Sequence, residues 1–221
     1  MTLNVLITGS NRGIGLSLCK QYKNMGHGVF AACRKASSAL QKLNVEIIDG
    51  IDLADETVGQ KVAQQMKDTS IDLLINNAGI LRDERLGDLN MRSIEEQFNV
   101  NTLGPLRITE ALLPRIKDGG KIAFITSRMG SIQDNTSGGR YGYRMSKCAL
   151  NAAAVSVAHD VQHRDISVAI LHPGLVGTDM IGGSGNITPD QAALQLSARI
   201  EALCLSNSGS FWHADGSLLP W

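Results

Sequence analysis

Val5-Leu6-Ile7-Thr8-Gly9-Ser10-Asn11-Arg12-Gly13-Ile14-Gly15 is the stretch that decides the fold. A short apolar run reads as a buried strand. It passes into a glycine-rich turn and then into a helical pattern over residues 14–25, which Gly26-His27-Gly28 ends. Gly9 permits the tight turn, Gly13 lets backbone approach a pyrophosphate, and Gly15 lets helix pack on strand. An anion at this point meets unpaired N–H groups and the positive end of the helix dipole. The run from Gly9 to Gly15, including Ser10, Asn11, Arg12 and Ile14, is therefore the candidate dinucleotide cradle. The plain alternative is a Gly-rich turn with no ligand. The strand–turn–helix context argues against it.

The same alternation continues along the chain. Residues 29–33, 45–48, 71–75, 121–126 and 166–171 read as further strands, with 210–212 as a short seventh. Helices are expected over 56–67, 93–116, 143–163 and 189–205, and Pro105 is expected to bend the second of these. Strands alternating with helices predict one α/β domain over residues 1–221, a Rossmann-type doubly wound parallel sheet with helices on both faces.

Composition removes several function classes. Lys plus Arg and Asp plus Glu both number 21, so nothing favours nucleic acid or an anionic membrane as partner. No apolar run is long enough to span a bilayer, and no signal peptide is read at the N-terminus. Cys19, Cys33, Cys148 and Cys204 form no CxxC pair and suit a reducing compartment, so a cytoplasmic protein is expected. His159 and His163 are four apart on a helix but lack a third ligand, so no metal site is expected.

The second strand sets the dinucleotide type. An acid at its end would bind a ribose 2′-hydroxyl and signal NAD. Cys33-Arg34-Lys35 stands there instead, and Arg12 lies in the glycine loop. Two guanidinium groups suit a 2′-phosphate, so NADP is expected over NAD. Arg34 and Lys35 as a merely solvated loop is the alternative. Asp52-Leu53 follows the third strand, where a carboxylate can accept from an adenine amino group or serve as a turn residue. Asn76-Asn77-Ala78-Gly79 ends the fourth, with amides to brace neighbours and small residues to leave space for a ligand.

Catalytic chemistry is concentrated further on. Tyr143 and Lys147 are four residues apart on one helix face. The ammonium is expected to lower the phenol's pKa and to hold the nicotinamide ribose. Ser127 ends the fifth strand, where its hydroxyl can donate to a substrate oxygen. Tyr143 can then give that oxygen a proton or take one. Asn101 is a candidate to hold a water that relays protons to Lys147. Tyr141 has Met145 four residues on and cannot work in the same way. Ser127 as an acyl-transfer nucleophile lacks a GxSxG turn.

These motifs, in this order, resemble a classical short-chain dehydrogenase/reductase over nearly the whole chain. The match rests on Thr8-Gly9-x-x-x-Gly13-x-Gly15, Asn76 to Gly79, Asn101, Ser127, Tyr143-x-x-x-Lys147 and Pro173-Gly174-x-Val176-x-Thr178. Tyr143 to Lys147 and the closing Asp215-Gly216-x-x-x-Pro220-Trp221 resemble the C-factor-like and sniffer-like carbonyl reductases. The resemblance implies catalysis by Asn101, Ser127, Tyr143 and Lys147 on a carbonyl or alcohol substrate. It also implies nicotinamide contacts from Pro173, Gly174, Val176 and Thr178. Family analogy favours a homodimer paired through the helices from Ser93 and Tyr143, and the alternative is that both are covered within a monomer. Residues 179–188 are short for the family, which implies a reduced lid and an open, shallow pocket. A C-factor-like signalling protein that binds NAD(P) is the alternative function.

Overall fold

The computed structural model describes residues 2–221. The elements in chain order are β1 (Asn4–Thr8), α1 (Gly13–Asn24), β2 (Gly28–Ala32), α2 (Ser38–Gln41), β3 (Glu46–Ile48), α3 (Val58–Met66) and β4 (Ile71–Asn76). There follow α4 (Met91–Phe98), α5 (Gly104–Leu112), β5 (Ile116–Ile125), α6 (Tyr141–Asp160), β6 (Ser167–His172), α7 (Pro189–Glu201) and β7 (Phe211–His213). All strand pairs are parallel, in the order β3-β2-β1-β4-β5-β6-β7. This is the expected doubly wound sheet. The strand order reverses between β1 and β4, so a crevice opens at their carboxyl ends.

Parallel strands covered on both faces need continuous apolar sequence. Val5, Leu6 and Ile7 are accordingly all fully buried. One core layer joins Leu6, Leu74 and Phe124 to Val62, Ile108 and Leu150 of α3, α5 and α6. The other joins Ile7, Ile75 and Leu171 to Leu18, Leu40 and Leu196 of α1, α2 and α7. No helix among the described residues is long and apolar enough to cross a membrane.

Three differences from the sequence expectation have local causes. The helix expected over 93–116 is not continuous. A π turn over Asn99–Leu103 separates α4 from α5, and a 3-10 turn over Leu113–Arg115 follows. Pro105 has no N–H to give the Asn101 carbonyl four residues back, while Gly104 N–H reaches Asn99 instead. The last helix stops at Glu201, short of 205, and its start carries a full capping box between Thr188 and Gln191. The short α2 was not anticipated. Ser37 caps it and also donates to the Asn11 carbonyl at 2.8 Å, which ties it to the glycine loop.

Close packing depends on glycines well away from the crevice. A Cβ on Gly59 of α3 would collide with the Arg107 carbonyl of α5. Gly59→Ala is therefore expected to cost about 1–3 kcal/mol through overpacking. Thermal unfolding should show a melting point several degrees lower, and an unchanged one would contradict this helix contact.

Candidate active site

The glycine loop and the end of β4 build one wall of the crevice together. A Cβ on Gly9, which has φ +68°, would lie 2.8 Å from Ala78 Cα. One on Gly15 would collide with the Gly9 carbonyl oxygen. Thr8 Oγ1 accepts from the N–H groups of Asn77 and Ala78 at 3.0 and 3.1 Å, and Asn77 Nδ2 donates back to Thr8 O at 2.9 Å. Asn76 braces sideways, donating to Thr109 Oγ1 at 3.0 Å. Gly13, with φ +53°, leaves room for Thr178, whose methyl would lie 3.3 Å from a Cβ there. Thr178 thus borders the glycine loop, while earlier in the same segment Gly174 has φ +88° and Val176 is bridged to Ile187.

The remaining expected cofactor residues fall into distinct surroundings. Arg34 is exposed and has no carboxylate within ion-pair distance among the described residues. Arg12 is exposed too, and its Nη1 lies 2.8 Å from Asp179 Oδ2. The Asn11 Oδ1 atom is buried without a partner. Ser10 spends its hydroxyl on the Ile7 carbonyl at 2.6 Å, and Ile14 packs into the core. Asp52 forms a local turn with Ala54 N–H at 3.1 Å, while the Leu53 side chain is buried against Gly104. These positions offer a nucleotide main-chain N–H groups and two guanidiniums, a donor set that fits a dinucleotide phosphate. The buried Asn11 oxygen can only accept, so it suits a donor and not a phosphate oxygen.

Ser127 and Tyr143 meet because Gly130 allows it. Ser127 caps a 3-10 turn over Arg128–Gly130, accepting from Met129 N–H at 3.1 Å. A Cβ on Gly130 would lie 2.8 Å from the Lys147 carbonyl carbon, so the turn lies directly on α6. Ser127, Tyr143 and Lys147 are all buried. Lys147 Nζ donates to the Ile125 carbonyl at 2.9 Å and lies 5.9 Å from the Tyr143 ring centre. Gly79 borders it, since a Cβ there would lie 3.5 Å from Nζ. Asn101 sits in the π turn with its side chain fully used. Oδ1 accepts from Ile80 N–H at 2.8 Å, and Nδ2 donates to Ile80 O at 2.9 Å and to Ser146 Oγ at 3.0 Å.

The short chain dehydrogenase family profile matches residues 3–186. The chain belongs to the short-chain dehydrogenase/reductase family. It is 37% identical over 98% of its length, and 99% of the relative's, to a 1-hydroxy-2-glutathionyl-2-methyl-3-butene dehydrogenase of Rhodococcus sp. (strain AD45). It is 40% identical to the C-signal of Myxococcus xanthus over 68% of this chain and 93% of that one. Among solved structures it matches the carbonyl reductase Sniffer of D. melanogaster with a TM-score of 0.91 at 32% identity, covering both chains fully. An NADPH-bound carbonyl reductase from chicken fatty liver matches with 0.89 at 30%, covering 100% of this chain and 99% of that one. The protein is thus an oxidoreductase of a family that uses NAD(P).

The electrostatics of this dehydrogenase fold differ from the sequence expectation. Burial raises the Tyr143 pKa above its ordinary value. The Ser127 hydroxyl and the Arg140 charge pull it back only in part. Lys147 is itself destabilised as a cation, since burial lowers its pKa to about 8. Two residues outside every sequence motif hold this corner. Glu84 is buried, and its carboxylate accepts from Ser93 Oγ, Gln97 Nε2 and Gly142 N–H. Arg140 precedes α6. Neither lies in a recognisable motif, and only tertiary contact brings them to the site.

The buried lysine has a measurable signature. The folded chain releases its proton near pH 8 and the unfolded chain near 10.5. Between those values the unfolded state holds more protons, so this group makes stability rise with pH. Below that window the buried charge costs the fold roughly 3 kcal/mol. Lys147→Met is uncharged and similar in length. It should melt higher than the parent at pH 7, with the gap closing by pH 10. An equal gap at both values would rule out a buried ammonium.

Proposed function

We propose that the protein is an NADP(H)-dependent oxidoreductase acting on a carbonyl or alcohol substrate, with Tyr143 as its general acid and base. The observation that carries this is the burial of Ser127, Tyr143 and Lys147 together beside the β1–β4 crevice. A buried phenol next to a buried lysine is expensive, and a packing role alone does not require either group. When bound, the dinucleotide supplies or accepts the hydride at the substrate carbon.

The chain's own groups handle the oxygen. Ser127 Oγ donates a hydrogen bond to it. Tyr143 delivers its phenolic proton as charge develops, or removes one in the oxidative direction. The raised Tyr143 pKa keeps the phenol protonated and so suits reduction. Lys147, near its own pKa at mildly alkaline pH, can return a proton to the tyrosine. Asn101 contributes through its main chain, because its amide is saturated and Pro105 offers its carbonyl no N–H. That carbonyl is the group to hold a relay water. Arg34 and Arg12 support a 2′-phosphate, and the NADPH in the chicken liver reductase supports the same choice.

A second reading has one observation in its favour, the similarity to the C-signal. A signalling protein that only senses NAD(P) occupancy would not need the Ser127, Tyr143 and Lys147 set. Tyr143→Phe separates the two. An enzyme loses NADPH-dependent carbonyl turnover by several orders of magnitude, while a sensor keeps its biological effect.

Titration of nicotinamide fluorescence with NADPH and NADH tests the cofactor. NADPH should bind more tightly, and Arg34→Gln should weaken it roughly ten-fold or more by removing a charged hydrogen bond, with little effect on NADH. Equal binding of both by the parent chain would remove the 2′-phosphate clamp.

A further inference from the structure

Arg140 stands at the threshold of α6 in a conformation that arginine rarely adopts. Its φ and ψ are +50° and +48°, in the left-handed region. Gly138 and Gly139 before it, at φ +62° and +63°, solve the same turn without a side chain. A side chain there costs the fold about 1 kcal/mol. Glu84 holds the backbone in place, its carbonyl accepting from Arg140 N–H at 2.9 Å.

The side chain reaches the turn that follows Ser127. Arg140 precedes Tyr143 by three residues, and its Nη1 lies 3.8 Å from Sδ of Met129, two residues after Ser127. Among the described residues its one carboxylate partner is Asp83, 3.4 Å from Nε, in a pair about half exposed on both sides. Such a pair is worth little, and it leaves most of the five donors to solvent or a ligand. Arg144, one turn on, is turned away into the loop. It donates to Gly138 O, Met129 O and Ser137 Oγ. Nearby Asp134 is already paired with Arg128. Two guanidiniums therefore flank Met129, and each charge disfavours the other.

We propose that Arg140 recognises the substrate, pairing with a carboxylate or similar anionic group on it while Tyr143 meets its carbonyl oxygen. This rests on the reductase reading above. A guanidinium fork matches a carboxylate with two parallel hydrogen bonds. Binding relieves the repulsion between Arg140 and Arg144. It also offsets the positive charge that favours the phenolate, so Tyr143 keeps its proton until the hydride arrives.

The test compares 4-carboxybenzaldehyde with its methyl ester, as NADPH-dependent reductions, in the parent chain, Arg140→Gly and Arg140→Lys. The readout is the ratio of kcat/KM for acid over ester. The parent should prefer the acid, and Arg140→Gly should lower the ratio roughly ten-fold or more. Its melting point should hold or rise, because glycine fits the left-handed turn. Arg140→Lys should retain part of the preference, since charge remains and the fork does not. The parent's preference should shrink in high salt. If Arg140→Gly does not fold, Arg140→Gln gives the same ratio test. Turnover of both aldehydes with a ratio unchanged in these variants overturns the inference alone. Failure of the parent to reduce either aldehyde, with NADPH bound, overturns the reductase reading and this inference with it.

Discussion

The contact between the β1 turn and the end of β4 is the constraint on which the rest depends. Gly9, Gly15 and Ala78 approach so closely that a methyl group on either glycine has no space. Thr8 and Asn77 lock the approach with reciprocal hydrogen bonds. This contact joins the two strands at which the sheet reverses its order. It fixes the glycine turn at the start of α1, where backbone N–H groups can meet an anion in the crevice. Gly13 and Thr178 close the same crevice from the other side.

Burial governs the chemistry on the neighbouring strand. A lone ammonium in an apolar interior loses hydration that one carbonyl replaces only in part. Lys147 accordingly has a lowered pKa despite its bond to Ile125. The phenol beside it is raised for the same reason, and a serine hydroxyl and a more distant arginine oppose that rise. The two groups move in opposite directions toward their neutral forms. Neutral groups are easier to bury, and each remains able to exchange a proton when substrate changes the local field.

Two irregularities carry much of the positioning. The π turn before Pro105 directs Asn101 to Ile80 and Ser146, linking the loop after β4 to the helix that bears Tyr143 and Lys147. The left-handed run ending at Arg140 starts that helix, with the buried Glu84 gripping both sides of the junction. The loop between Ser127 and Tyr143 is held in turn by Ser131 Oγ and Gln133 N–H, which donate to the Trp221 carbonyl at 3.0 and 2.8 Å. The segment after Thr178 folds into a compact tongue in which Gly183 N–H returns to the Thr178 carbonyl at 2.9 Å.

The sequence by itself determined the layered α/β fold, the seven strands and the motif positions. Those features follow from local periodicity and from glycine and proline stereochemistry, which act over a few residues. The bend near Pro105 was legible for that reason, although its π form was not, because it depends on which distant carbonyl the next N–H reaches. The side chains of Ser127, Tyr143 and Lys147 were legible as residue types, but their protonation was not. Spacing alone suggested that Lys147 would lower the phenol's pKa. Only the tertiary structure decided otherwise, because desolvation depends on everything packed around a group and not on its neighbour along a helix. Glu84 and Arg140 were illegible for the same reason. The partners of Glu84 lie 9, 13 and 58 residues away, and no local pattern records contacts made at such separations.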